Sequence, residues 1–274
     1  MKNQILNNQI YSGADGRESL IDLSIPENFN QKIIIFSHGF MGYKDWGAWY
    51  LVEKHFTKLG YGFCKYNVSH NGGTTTEPID FHDLEAFALN TYSKELFDLQ
   101  QVINWVDEKV EGEKGFYLIG HSRSGGIVLL NHKDNRIKKI ATWAAISNIE
   151  KRFPEGKQLK VWQTQGTKYV VNQRTNQKMP TKFSQYEDFI ENREALDIQK
   201  ACEESSTPTL LIHGDADTSV DIEEGREIST WLKTRLFEIE EANHTFGTAQ
   251  PWEQNEMPEH LQKVCDLTES FFSY

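Results

Sequence analysis

Short apolar runs recur along this chain, and each closes on small or polar residues. Ile33-Ile34-Ile35-Phe36, Phe116-Tyr117-Leu118-Ile119 and Thr209-Leu210-Leu211-Ile212 are too short for buried helices and read as strands covered on both faces. Gly62 to Val68, Ile137 to Ala145 and Leu236-Phe237-Glu238-Ile239 add three more strands. Trp49 to Lys58 and Thr91 to Val110 carry a helical period. In the second, Leu96, Leu99, Val102, Ile103 and Val106 share one face, which marks them as core. Strands alternating with helices predict a parallel sheet with helices on both sides. Residues 1–31 alternate instead: Leu20, Asp22 and Ser24 oppose Ile21, Leu23 and Ile25, with a turn at Gly13-Ala14-Asp15-Gly16. That pattern predicts an antiparallel hairpin at the sheet edge.

Residues 148–200 break the rhythm. Val161-Trp162, Tyr169-Val170-Val171 and the turn-rich Asn172 to Gln177 predict a short hairpin, while Tyr186 to Ile190 and Arg193 to Lys200 predict helices. A structureless loop of this length is uncommon inside a compact domain, so a small subdomain is expected.

The chemistry gathers where strands end. Phe116 to Ile119 runs into Gly120-His121-Ser122-Arg123-Ser124-Gly125-Gly126, and Ile127 to Leu130 then reads as a helix. A serine on so sharp a strand-to-helix turn is held with strained backbone angles and an outward hydroxyl, which suits a nucleophile. Ser122 sits at the turn, whereas Ser124 falls inside the first helical turn and occupies the position usually held by a second glycine. Downstream, Thr209 to Ile212 ends in His213-Gly214-Asp215-Ala216-Asp217, and Leu236 to Ile239 closes on Ala242-Asn243-His244. A serine hydroxyl needs a base to take its proton, and the base needs an acid to fix its tautomer. His244 is the candidate base, with Asp217 and Asp215 as candidate acids.

With Ser37-His38-Gly39-Phe40-Met41-Gly42 after the first of these strands, the chain resembles α/β-hydrolase-fold serine hydrolases of the esterase, dienelactone-hydrolase-like and serine-aminopeptidase-like groups. The resemblance spans about residue 32 to the C-terminus, apart from the middle segment. It rests on the elbow, on His38 to Trp46, on Ala242 to Phe246, and on the chain order serine, acid, histidine. It implies the α/β-hydrolase fold, with a core from residues 1–147 and 201–274 and an inserted cap at 148–200. It implies a nucleophile at Ser122, a base at His244 and an acid at Asp217, since Gly214, Asp217 and Val220 keep the family spacing. It further implies an oxyanion hole formed by the backbone N–H groups of Phe40 and Arg123. The implied activity is cleavage of a small or medium carboxylic ester, acyl or aryl-acyl, through an acyl-enzyme. Amide or peptide cleavage and thioester cleavage are the neighbouring alternatives. A catalytically silent binding module is the remaining class, but silent members usually lack a triad residue or the oxyanion glycine. Dienelactone hydrolases proper carry a cysteine nucleophile, so their specific activity does not carry over to Ser122.

Composition narrows the field further. The 274 residues suit one domain, and the formal net charge of −11 argues against nucleic acid as partner. It also disfavours anionic substrates, unless a local arginine overrules the global field. A small-molecule ester is the expected partner. Cys64, Cys202 and Cys265 lie too far apart to suggest a disulfide framework or a metal pair. His70 and His82 with Asp80 and Asp83 match no standard ligand spacing, and neither a metal nor a cofactor is required by a serine mechanism. Gly72-Gly73-Thr74-Thr75-Thr76 lacks the lysine of a phosphate loop and reads as a flexible loop beside the site. No run approaches a membrane span and the first residues carry no apolar leader, so a cytoplasmic location is expected.

Overall fold

The computed structural model describes residues 3–274. Ten strands are present among the described residues: β1 (Gln4–Ser12), β2 (Glu18–Ile25), β3 (Lys32–Ser37), β4 (Gly62–Tyr66), β5 (Gly115–His121), β6 (Ile137–Trp143), β7 (Thr167–Val171), β8 (Lys178–Lys182), β9 (Thr209–Gly214) and β10 (Leu236–Ile239). Among the same residues nine α-helices accompany them: α1 (Trp49–Lys58), α2 (Leu84–Ala88), α3 (Tyr92–Lys109), α4 (Arg123–Leu130), α5 (Gly156–Gln165), α6 (Ser184–Glu191), α7 (Ile198–Glu204), α8 (Ile222–Leu232) and α9 (Glu259–Ser273). Eight strands form one sheet in the order β1-β2-β4-β3-β5-β6-β9-β10. The six from β4 to β10 are parallel, whereas β1 and β2 form the antiparallel edge hairpin. Residues 1 and 2 of the expected hairpin lie outside the described residues.

The pleat sends alternate residues to opposite faces. Ile33 and Ile35 pack with Leu99, Val102 and Ile103 of α3 and Ile127 of α4. Ile34 and Phe36 pack with Trp49 and Phe56 of α1 and Leu261 and Val264 of α9. Each unbroken apolar run therefore supplies both cores at once. Thr91 caps α3 by accepting a bond from the Lys94 N–H. All three cysteines are buried and free. No helix among the described residues is long and apolar enough to cross a membrane.

Two expectations for residues 148–200 need correction. Val161 and Trp162 lie in α5, not in a hairpin strand. Trp162 is the buried residue of that helix; its Nε1–H donates to the Thr181 carbonyl and its ring packs against Phe153 and Phe183. The hairpin is β7 and β8 alone, joined through the expected Asn172–Gln177 turn. A helix from Arg193 is also not found. The chain turns through Asn192–Leu196, and α7 starts at Ile198, where the Asp197 side chain caps it by accepting from the Lys200 N–H. Two strands also end early: β4 stops at Tyr66, and β6 stops at Trp143 because Ala144 turns to a positive φ of 51°.

The hairpin folds back toward the sheet. Met179 is fully buried among Tyr43, Phe81 and Phe87, and ion pairs Arg174–Asp80 and Lys182–Glu85 tie it to the chain before and within α2.

Candidate active site

The C-terminal ends of β3, β5, β9 and β10 meet at one edge of the sheet, where open α/β sheets place their ligands. Ser122 follows β5 with φ 59° and ψ −121°, a backbone conformation that carries roughly 1–3 kcal/mol of strain. Its neighbours enforce that turn. A Cβ on Gly120 would lie 2.3 Å from the Ser124 carbonyl oxygen, so only glycine lets β5 and α4 close. The Ser122 N–H donates to the Trp143 carbonyl (2.9 Å), and its own carbonyl accepts from the Gly125 N–H (2.9 Å).

His244 Nε2 lies 2.9 Å from Ser122 Oγ, and His244 Nδ1 lies 2.7 Å from Asp217 Oδ2. A carboxylate only accepts, so Nδ1 carries the proton and Nε2 accepts from the serine hydroxyl. The Asp217 side chain is fully shielded from solvent. Its Oδ1 accepts the Ser219 and Val220 N–H groups at 2.7 and 3.0 Å. Burial alone would raise its pKa. Hydrogen bonds from His213, His244 and the Val220 N–H outweigh that and hold the carboxyl well below the usual range. Asp215 lies outside this relay and accepts the Glu241 N–H (2.7 Å) in its own loop.

His213 stands outside the predicted triad and supports it from the protein side. Its Nε2–H faces the Val220 carbonyl at 2.9 Å and Asp217 Oδ2 at 3.3 Å, so it braces the acid from behind. The four-residue spacing between His213 and Asp217 was the available signal. His121 plays a comparable part for His244: its Nε2–H donates to the His244 carbonyl (2.9 Å) and the two rings lie 4.8 Å apart. Burial, reinforced by the neighbouring His244, lowers the His121 pKa to about 3 and keeps that shelf uncharged at neutral pH.

The loop after β3 presses against the serine. A Cβ on Gly39 would lie 2.8 Å from Ser122 Cβ. The Val68 N–H donates to His38 Nε2 (3.1 Å), which assigns the ring proton to Nδ1, and Nδ1–H donates to the Gly39 carbonyl at 2.9 Å. Gly42 N–H donates to the same carbonyl (3.0 Å). Because a trans peptide points its N–H opposite its C=O, these two bonds orient the Phe40 N–H. Burial lowers the His38 pKa to about 4, so the tautomer persists at neutral pH. Ser124 acts one peptide earlier, its hydroxyl donating to the His38 carbonyl. Among the described residues, neither the Phe40 nor the Arg123 N–H has a hydrogen-bond partner.

A cavity of about 230 Å³ opens over Ser122, lined by Phe40, Met41, Trp46, Trp49, Asn172 and Arg174 among others. The last two come from the inserted hairpin. Trp143, Trp162 and Phe183 are core, and Tyr169 is exposed. Asp80 and Asp83 engage Arg174 and Arg17.

No protein-family model matches the chain, and no curated protein matches it in sequence. Solved structures do match along nearly its whole length. Est1E from Butyrivibrio proteoclasticus, in a structure with ferulic acid bound, superposes with a TM-score of 0.71 at 19% identity, covering 97% of this chain and 98% of that one. A dienelactone hydrolase from Anabaena variabilis gives 0.64 at 18% identity, covering 100% and 98%. A monoacylglycerol lipase from Paleococcus ferrophilus gives 0.66 at 14%, covering 93% and 98%. The fold is the α/β-hydrolase fold, as the topology and these likenesses agree.

Proposed function

We propose that the chain is a serine hydrolase that cleaves a small or medium carboxylic ester, with Ser122 as nucleophile, His244 as base and Asp217 as the orienting acid. The observation that carries this reading is the continuous relay from Ser122 Oγ through both nitrogens of His244 to Asp217. Ser122 Oγ attacks the ester carbonyl as His244 Nε2 takes its proton. The oxygen that becomes negative is received by the Phe40 and Arg123 N–H groups, the latter at a helix N-terminus. Collapse of the tetrahedral adduct breaks the bond to the alcohol, which leaves with the proton from His244. Water then attacks the acyl-serine with the same base, and the acid is released. Asp217, buried and anionic, stabilises the imidazolium in both halves. The Anabaena relative is a dienelactone hydrolase and the Paleococcus relative a monoacylglycerol lipase, which supports ester chemistry by analogy of fold.

Residues 148–200 serve as a cap in this reading, since the hairpin contributes Asn172 and Arg174 above the nucleophile. The test is turnover of p-nitrophenyl esters of rising chain length. Wild type should show saturable hydrolysis, and Ser122→Ala should lose it by about 10⁶-fold in kcat, the scale seen when a triad serine is removed. Absence of turnover in wild type across the series, or full turnover by Ser122→Ala, refutes the reading.

A further inference from the structure

A second cavity, of about 260 Å³, flanks Ser122 and His244 on the other side of Phe40. Its character differs from the aromatic cavity under the hairpin. Tyr92, Ile146 and Val220 supply apolar wall, and Arg123 and Arg152 supply two guanidinium groups. The Arg123 guanidinium is clamped between the Phe40 and Tyr92 rings, 4.2 and 4.4 Å from their centroids. Arg123 as a whole is only 8% exposed. Among the described residues its side chain makes one hydrogen bond, from Nη1 to Glu95 Oε1 at 3.0 Å. A guanidinium carries five N–H donors, so most of those on Arg123 have no protein partner among the described residues. Arg152 donates from Nη2 to Glu224, while its buried Nε–H has no partner among the described residues. Leaving a buried charged donor unpaired is unfavourable unless a ligand completes it.

A third cation lies near Arg123. Arg123 and Arg152 are matched by Glu95 and Glu224, but Lys168 nearby has no carboxylate partner among the described residues and rests over the Trp162 ring at 4.0 Å. Burial and the Arg123 charge lower the Lys168 pKa.

We propose that this second cavity binds a carboxylate of the substrate, so that the ester cleaved carries a free carboxylate on one half and an apolar group on the other. Planar guanidinium donors suit a carboxylate, which can accept two parallel bonds. The apolar half then lies in the cavity of Trp46 and Trp49, and the scissile carbonyl lies between, at Ser122. The inference rests on the hydrolase reading for its substrate, but binding tests it separately.

Two measurements decide it. In the first, calorimetry follows glutarate and its neutral analogue glutaramide added to the Ser122→Ala protein. Glutarate should bind at least tenfold more tightly, and Arg152→Gln introduced in that background should abolish the difference. Because Arg152→Gln leaves Glu224 buried without its partner, the Arg152→Gln/Glu224→Gln pair serves as a second variant that removes both charges. In the second, kcat/KM is compared for monophenyl glutarate against phenyl 4-carbamoylbutanoate, and for 3-(butanoyloxy)propanoate against its amide. These arms place the carboxylate on the acyl or the alcohol half. One arm should favour the anion by tenfold or more, and Arg152→Gln should collapse that ratio, whereas Arg193→Gln at an exposed ion pair should not. Equal binding of glutarate and glutaramide, or a preference that survives both Arg152 variants, overturns the proposal. Loss of turnover with anion binding intact instead overturns the hydrolase reading and leaves the anion site standing.

Discussion

The sheet-end loops and the inserted segment meet over the same serine but are built by opposite means. Around Ser122 every position is over-determined. Gly39 and Gly120 permit approaches that no side chain would, and His38, His121 and His213 each fix a neighbouring carbonyl or carboxylate. The hairpin of β7 and β8 reaches the site from outside. It is anchored by Met179 in a four-residue apolar cluster and by ion pairs at the surface. Ion pairs exposed to water contribute about 0–1 kcal/mol each, so the hairpin is the more adjustable partner. In the proposed reaction, chemistry falls to the rigid region, and the hairpin shapes one side of the substrate cavity.

This contrast predicts that substitutions in the loops strike kcat, while substitutions in the hairpin strike KM. The largest effect after loss of the nucleophile is expected for Asp217→Asn, which keeps the shape but reverses the tautomer preference of His244. Steady-state kinetics should show kcat down by about 10⁴-fold with KM little moved. Gly39→Ala forces the loop off Ser122 by its 2.8 Å contact and displaces the Phe40 N–H. Its kcat should fall by about 10²–10³-fold, the range for loss of one oxyanion donor, with a normal circular dichroism spectrum.

Ser124→Gly restores the residue usual at that position and removes the bond to the His38 carbonyl. One neutral hydrogen bond is worth about 0.5–1.5 kcal/mol, so kcat should fall up to about tenfold and the unfolding midpoint should drop slightly. A faster Ser124→Gly enzyme would show that the serine hinders the elbow instead of bracing the loop. Arg174→Ala in the hairpin should raise KM roughly threefold while moving kcat less, read from the same assays. Should Arg174→Ala lower kcat as far as Gly39→Ala does, the division of labour between the two regions fails.

How much of this was legible in the sequence follows the same line. The strand runs were readable because a buried parallel strand is apolar on both faces, and the middles of β3, β5 and β9 are apolar. The meeting of Ser122, Asp217 and His244 was legible because each stands shortly after a strand. Residues 148–200 were not, because there the deciding contacts are long-range. Val161-Trp162 looks like a strand by residue type, yet Leu159 and Trp162 at helical spacing and a bond to Thr181 make it helix. The cap signal of Asp197 was present but outweighed by the apparent period from Arg193. Ser124 and His38, 86 residues apart in sequence, give no local sign of their bond. Nor does Arg152 betray its place beside the nucleophile, since its partner Glu224 lies 72 residues further along the chain.

The most direct test of the central claim is covalent. The protein is treated with a fluorophosphonate, which reacts with activated serines, and the adduct is mapped by peptide mass spectrometry. A single adduct on Ser122, absent from Ser122→Ala, slowed in Asp217→Asn and still formed on Ser122 in Ser124→Ala, is the predicted result. An unmodified protein, or an adduct mapped to Ser124, would contradict the account.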